Sequence, residues 1–307
     1  MITQRTQLAA KAEETEGTAI ALAGANALLV QNPQFKPNTP PNTRENVTAS
    51  LSRFASVPGA RYATMEFDVE LKGSGSAGTA PALGTLLKAC GFGESVVEST
   101  SVTYTPASSE IKSLTMAMYM DGIIKSIWGA RGTVSLKIET GKYGLFHFVF
   151  TGADFSVETG AMLSSGVSYE ATLPPAFLDA SFTVDSYAAL VGSLEFNMNN
   201  TVALRQDANA ESGYLSAVIT KREPSLSIDP EMVTVAVYDF YGELRSGTVG
   251  ALTLTLGASA GNICTITAPK VQYTGITPGD RDGVRSLGID CQLNRNAGDD
   301  ELSLAFT

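Results

Sequence analysis

The chain is poor in the residues that do chemistry. It has one histidine, one tryptophan and three cysteines among 307 residues. His147 is the sole imidazole, and four ligands at zinc spacing cannot be assembled around it. Cys90, Cys264 and Cys291 are odd in number, far apart and without a CxxC, which predicts reduced, partly buried thiols and not a disulfide framework. Charged residues make up only 17%, with a formal net charge of -10 and a pI near 4.7. That balance excludes a basic surface that grips phosphate. It leaves open a surface past which nucleic acid slides, since carboxylates repel phosphate. No apolar run reaches the ~18–20 residues of a membrane span. The run Gly17 to Val30 follows Glu13, Glu14 and Glu16, where a secretory signal wants basic charge, so it reads as a mature N-terminal strand or arm.

Hydrophobic residues are 44% of the chain, enough to bury a sizeable core. Residues 1–16 carry Gln, Lys and Glu at spacings that suit one short helix. Residues 31–48 hold four prolines, at 33, 37, 40 and 41, and read as an extended loop or arm that reaches a neighbouring subunit. Tyr62 to Leu71 alternates Met65, Phe67, Val69 and Leu71 with Glu66, Asp68 and Glu70, a half-buried strand with an acidic outer face. A Gly/Ser loop, Gly73 to Thr79, leads to a short helix, Pro81 to Cys90, stopped by Gly91. Asp121-Gly122 is a two-residue hairpin signal between Leu114–Met120 and Ile123–Trp128. Gly129 to Gly132 reads as a second reversal, followed by an alternating strand from Thr133 and a β-branched and aromatic strand, Leu145 to Thr151. Beyond about residue 156 strands are expected at 193–198, 215–221, 225–228, 251–256, 264–269 and 287–293, with a helix over Val233–Leu244.

Each chemical motif has a plainer reading. Gly73, Gly75 and Gly78 match G-x-G-x-x-G between a strand and a helix. No parallel β-α-β repeat follows, so a loop that orders against a partner subunit is preferred to dinucleotide binding. His147, between Phe146 and Phe148, points to the wet face and has no nucleophile turn to serve. Pro278 to Gly283 lacks the closing bidentate Glu of a calcium loop and reads as a turn. No catalytic, cofactor-binding or metal residue is assigned.

Three ordered segments carry a family likeness: YATMEFDVELKGSGSAGTAPALGTLLKACGF (62–92), VTYTP (102–106) and MDGIIKSIWGARGTVSLKIETGKYGLFHFVFTGADFS (120–156), with KAEETEGTAIALAGANALLV (11–30) ahead of them. Together these resemble the tail tube (major tail) proteins of long-tailed bacteriophages and prophages, over residues 10–160. The resemblance implies a mainly β chain with an antiparallel β-sandwich or open-barrel tail-tube fold and one short helix per unit. It also implies a structural virion protein without enzymatic activity or cofactor, assembled in the host cytoplasm. Its subunits form rings that stack into a tube, the conduit for DNA delivery. The implied partners are further copies of itself and the tail-tip initiator, tape-measure and tail-terminator proteins. A different β-rich virion or contractile-apparatus component is the alternative. Two units are expected, 1–160 with the 31–48 arm and 161–307. The second is either a tube-like repeat, which is preferred, or a decoration; rings of three or of six follow respectively. Candidate contacts between subunits or rings are Gly73, Gly75, Gly78, Phe35, Pro40 and Pro41. Candidate acids facing the lumen are Glu66, Asp68, Glu70, Glu139 and Glu195.

Overall fold

Period-two alternation builds this molecule. In Tyr62–Glu70 the buried side chains are Ala63, Met65, Phe67 and Val69, and in Leu145–Gly152 they are Phe146, Phe148 and Phe150. The two strands pair antiparallel with Phe67 opposite Phe148. Phe67, Phe148 and Phe150 stack at centroid distances of 5.9–6.0 Å. The computed structural model describes residues 2–307 as mainly β, with antiparallel pairing throughout and two short helices.

One long strand, Ile123–Glu139, serves two sheets. Its first part pairs with Leu114–Met120 on one side and Asp154–Thr159 on the other. A register shift between Ile127 and Ala130 bends it, and its second part pairs with Leu145–Gly152. Gly129, with φ of 59°, sits at this bend. Gly129 to Gly132 is therefore a bulge within a continuing strand, and the expected reversal is corrected; a bulge re-aims a strand without breaking it. The first sheet is completed by Thr6–Ala12 along Leu114–Met120, and the second by Gln31–Asn38 along Tyr62–Glu70. Their inner faces enclose one core, from Leu8 and Met116 to Phe67 and Phe148.

The pairing order then occurs again. Cys264–Arg281 is a second long strand with a register shift between Tyr273 and Gly275. Its first part pairs with Val249–Leu256 and Ser303–Phe306, its second with Val284–Leu293. Ser181–Val184 lies along Val249–Leu256 as Thr6–Ala12 lies along Leu114–Met120. Val191–Asn197 and Ser225–Pro230 stand where Gln31–Asn38 and Tyr62–Glu70 stood. Each of these last two pairs is joined by a projecting arm, 39–61 in the first half and 198–224 in the second. The registers superimpose at an offset of 161 positions, pairing Phe35–Met65 with Phe196–Leu226. At that offset, without a gap, Phe35/Phe196, Asn38/Asn199, Arg44/Arg205, Val57/Val218, Arg61/Arg222, Asp68/Asp229 and Glu70/Glu231 are identical.

The halves meet edge to edge. Residues 135–139 pair with 193–197, which makes one continuous sheet across the molecule. The hairpin Phe92–Val97/Ser101–Pro106 exists only in the first half, and its second strand, Ser101–Pro106, also pairs with Ser303–Phe306.

Three further expectations change. Residues 6–12 form a strand and not a helix, because Leu8 and Ala10 face the core while Ala9 packs with Ala117 and Tyr119 on the other face of the sheet. Residues 31–38 belong to the sheet, and the projecting arm begins at 39. The second helix spans Phe240–Ser246 only, capped by Asp239, whose side chain accepts from the Gly242 N–H, and closed by Gly247 at φ 67°. The β-branched run Val233 to Val237 stays outside it. The first helix is Gly84–Ala89, inside the expected bounds. The three cysteines are free and buried.

Truncating Phe148, which is 0% exposed between two other phenylalanines, leaves a void the rigid sheets cannot close. Phe148→Ala is expected to lower unfolding free energy by about 3–5 kcal/mol, read from the midpoint of a denaturant titration.

Candidate assembly edges and charged sheet face

The continuous sheet runs in the order 31–38, 62–70, 145–152, 131–139, 191–197, 225–230, 284–293 and 271–281. Because the buried set alternates with the outer set, one face of all these strands is wet. Glu66, Asp68, Glu70, Glu139 and Glu195 all lie on it, in adjacent registers: Asp68 opposite His147, His147 opposite Ser135, and Lys137 opposite Glu195. Asp229 and Asp290 extend the row into the second half.

Most of these acids have partners. Lys36 Nζ lies 2.6 Å from Glu66, Lys72 Nζ 3.1 Å from Glu70, and His147 Nδ1 2.7 Å from Asp68. Glu139 receives Lys137 at 2.7 Å and Lys142 at 2.5 Å. Those two ammonium groups hold its carboxyl down at about 2. Arg281 reaches Asp229 at 3.0 Å. The face is thus acidic overall and laced with ion pairs. Such exposed pairs contribute little to stability and set the charge pattern instead.

The sheet ends in two open edges. Gln31–Asn38 pairs only with Tyr62–Glu70. From 274 to 281 the other terminal strand pairs only with Val284–Leu293. Phe35 on the first edge turns inward, edge-on to Phe155 at 5.9 Å. Pro40 and Pro41 lie at the root of the arm, where Pro41–Asn42 pairs with Val57–Pro58. The arm residues 39–58 are all exposed, including Val47, Leu51 and Phe54.

The Gly/Ser loop is placed differently from expectation. The Gly73 N–H donates to Asn262 Oδ1 and the Gly75 N–H to the Gly261 carbonyl, so the loop orders against this chain's own second half. A Cβ on Gly73 would stand 2.0 Å from the Gly261 oxygen, and one on Gly78 2.3 Å from Ser99 N. Glycine here answers a close internal approach.

Sequence reasoning missed the polar anchors under the N-terminal segment. Glu13, 5% exposed, accepts from Ser113 Oγ, Thr115 Oγ1 and the N–H groups of Gly17 and Gly129. Glu16 takes Arg131, Arg205 and Ser216. Burial alone would raise the Glu16 carboxyl, but the bonds from Ser216 and Arg131 bring it below the usual range. Burial likewise opposes ionisation of Glu94, yet Lys88 at 2.8 Å and Tyr104 at 2.7 Å keep its carboxyl low. The only signal in the sequence was the cluster of acids before an apolar run.

Among the described residues no group of three or more His, Cys, Asp or Glu is placed to hold a metal ion. Burial pushes the thiols of Cys264 and Cys291 up to about 12, and Cys90 rises as well, so none is a nucleophile at neutral pH. The cleft of about 510 Å³ beside Lys72 and Ser74 contains Tyr169 and Glu170 but no histidine or cysteine.

A family model described as phage tail tube protein matches residues 3–307, essentially the whole chain. The chain belongs to the phage tail tube protein family. It is a structural subunit of a bacteriophage tail tube and a component of the virion tail. No curated protein matches it. Tail tube proteins assemble with copies of themselves into a tube and associate with other tail proteins. Among the described residues no helix is long and apolar enough to cross a membrane.

The carboxylates give a pH dependence. Glu16 and Glu94, both partly buried, titrate below their ordinary values in the fold. Folding then favours the ionised forms, a contribution complete above the unfolded value near 4.5 and lost as pH falls through the lower folded values. The denaturation midpoint is expected to be flat from pH 8 to 5 and to fall progressively below about 4.5; Glu94→Gln should flatten that fall.

Proposed function

We propose that three copies of this chain close into a ring of six β-sandwich units, and that stacked rings form a bore through which viral DNA passes without being gripped. The observation that carries this reading is the strand order occurring twice in one continuous sheet with an open edge at each end. A sheet with two open edges is an aggregation hazard unless the edges are paired. A heterologous contact that closes gives a ring. Three eight-stranded sheets make 24 strands, and at ~4.8 Å spacing and ~40° tilt such a wall is roughly 45 Å across at the backbone.

In this reading the wet face lines the bore. Glu66, Asp68, Glu70, Glu139 and Glu195 then face DNA, joined by Asp229 and Asp290. Their ion pairing keeps the wall weakly negative, so phosphate is repelled along its path without being trapped at any point. The protein acts through shape and charge, and no catalysis is assigned to it. Pro40, Pro41 and the rest of the arm are contacts for a neighbouring subunit, whereas Gly73, Gly75 and Gly78 hold the subunit itself together. The tail-tip initiator, tape-measure and tail-terminator proteins are the remaining proposed partners.

Mass measurement of assembled rings tests the stoichiometry: three chains are expected. Six chains would mean that only one half of each chain contributes to the wall, with the other half a decoration. Electron microscopy of Glu66→Lys/Glu195→Lys tubes, with a DNA retention assay at low salt, tests the bore: the variant should hold DNA that wild-type tubes release, with the effect vanishing above about 0.5 M salt. Equal retention by both would place these acids away from the DNA. Replacing Pro41–Pro58 with a short Gly/Ser turn should leave thermal unfolding within about 0.5 kcal/mol of wild type, since these residues are exposed, and should abolish tubes by microscopy.

A further inference from the structure

The junction inside the chain has a counterpart that the single chain cannot fill. We infer that the edge 274–281 pairs with the edge 31–38 of the next copy, in the register of the internal junction and with half of its backbone bonds missing. This rests on the ring proposed above and names its lateral contact.

Internally, Ser135, Leu136, Lys137, Ile138 and Glu139 lie opposite Asn197, Phe196, Glu195, Leu194 and Ser193. The flanking bonds, Met198 N–H to the Val134 carbonyl and Thr140 N–H to the Gly192 carbonyl, show which residues face the junction with their backbone. They are the even-numbered ones on both strands, since hydrogen-bonded pairs recur every second residue. The second long strand follows the first at an offset of 142 positions beyond its bulge: Val134–Phe148 corresponds to Ile276–Ile289, and Ser135–His147 to Thr277–Gly288. The edge 31–38 corresponds to 192–199 at the offset of 161. Transferring the register sets Thr277 opposite Lys36, Pro278 opposite Phe35, Gly279 opposite Gln34 and Asp280 opposite Pro33.

The placement of the prolines agrees with this edge assignment. In the two-residue hairpin at Asp282-Gly283 the bonded pair is Arg281 with Val284, so odd residues face Val284–Leu293 and the nitrogens of 276, 278 and 280 face outward. Pro278 is among these, and Pro33 and Pro37 fall on the outward set of the other edge. Proline is tolerated in a sheet where its nitrogen faces an open edge. Across the new junction each bonded pair keeps one bond of two. The Ile276 N–H donates to the Pro37 carbonyl, the Phe35 N–H to the Pro278 carbonyl, and the Asp280 N–H to the Pro33 carbonyl. Pro37, Pro278 and Pro33 return nothing. On the core side Pro278 covers Phe35 as Leu136 covers Phe196.

The arms agree. The second arm lies across the first half: Asn200 Nδ2 donates to the carbonyls of Cys90 and Gly132, Arg205 pairs with Glu16, and Ser216 and Ala217 are fully buried. Their counterparts at 161 positions less, Ala55 and Ser56, are exposed, and among the described residues Arg44 has only the Phe54 ring, at 5.4 Å. The first arm is built to lie on the second half of the next copy. Asp185 and Glu243, which have no ion pair among the described residues, border that surface beside Tyr273 and Gly250.

Lys36 and Thr277 form a non-hydrogen-bonded pair, the geometry in which side chains come closest and a disulfide fits. In rings assembled from Lys36→Cys/Thr277→Cys, mild oxidation should give a covalent species that closes at three chains on a non-reducing denaturing gel. Neither single variant should cross-link. Ser135→Cys/Asn197→Cys should form the equivalent bond within one chain. Rings that stay uncross-linked while the internal pair oxidises overturn the register and leave the ring reading standing. Dimers from Lys36→Cys alone overturn the choice of edges. Wild-type protein that forms neither ring nor tube by microscopy removes the ring reading and this contact together. Pro37→Val restores one donor toward the Ile276 carbonyl and should tighten lateral association roughly fivefold by sedimentation; unchanged association overturns the missing-bond account.

Discussion

The pairing of residues 135–139 with 193–197 is the constraint on which the rest depends. It turns two sandwiches into one sheet, and so decides which faces are wet together and which edges remain open. Without it the acids of the two halves would belong to separate surfaces. With it, Glu66 and Asp290 lie on one wall although they stand at opposite ends of the sequence. The core holds each sandwich together, but the hydrogen-bonded seam gives the molecule a direction, with a beginning at residue 31 and an end at 281.

Much of the wall was legible in the chain, because a half-buried strand writes its period into the sequence. Tyr62–Glu70 and Leu145–Gly152 alternate cleanly, and Asp121-Gly122 marks its hairpin in two residues. The placing of His147 and of Glu66, Asp68 and Glu70 on the wet face followed from parity alone, whereas Glu139 and Glu195 join them only through the strand registers. What failed was reading across a bend. Gly129 to Gly132 carries the marks of a reversal, but the shift there amounts to a bulge, and only tertiary pairing on both flanks keeps the strand going. Thr6–Ala12 lacks β-branched residues beyond Thr6 and is a strand because Leu114–Met120 offers it an edge. The repeat was hard to see for a related reason. Topology survives on a few positions, such as Phe35/Phe196 and Arg61/Arg222, while the intervening faces diverge.

The two halves also divide their duties. Arg61 reaches Asp154 at 2.8 Å, and Arg222, its counterpart, reaches Glu301 at 3.1 Å. The same clamp thus ties the foot of each arm to the strand that closes its sandwich. The second arm then goes on to dock within the chain, where Arg131 donates to the Ala217 carbonyl, whereas the first projects free. One design is docked in the second half and exposed in the first. The first arm carries Val47, Leu51 and Phe54 exposed along its length.

The hairpin Phe92–Val97/Ser101–Pro106 has a consequence for how the protein is made. Its second strand, Ser101–Pro106, finds its other partner in Ser303–Phe306, far along the sequence. At ribosomal speeds of about 5–20 residues per second, the strand waits roughly 10–40 s with its edge unsatisfied. The nascent first half therefore carries an adhesive strip on each emerging ribosome of a polysome, at a moment when many copies are close together. Val102 and Tyr104, buried once Ser303–Phe306 is in place, are the apolar part of that strip. Completion of the second half is what covers that edge.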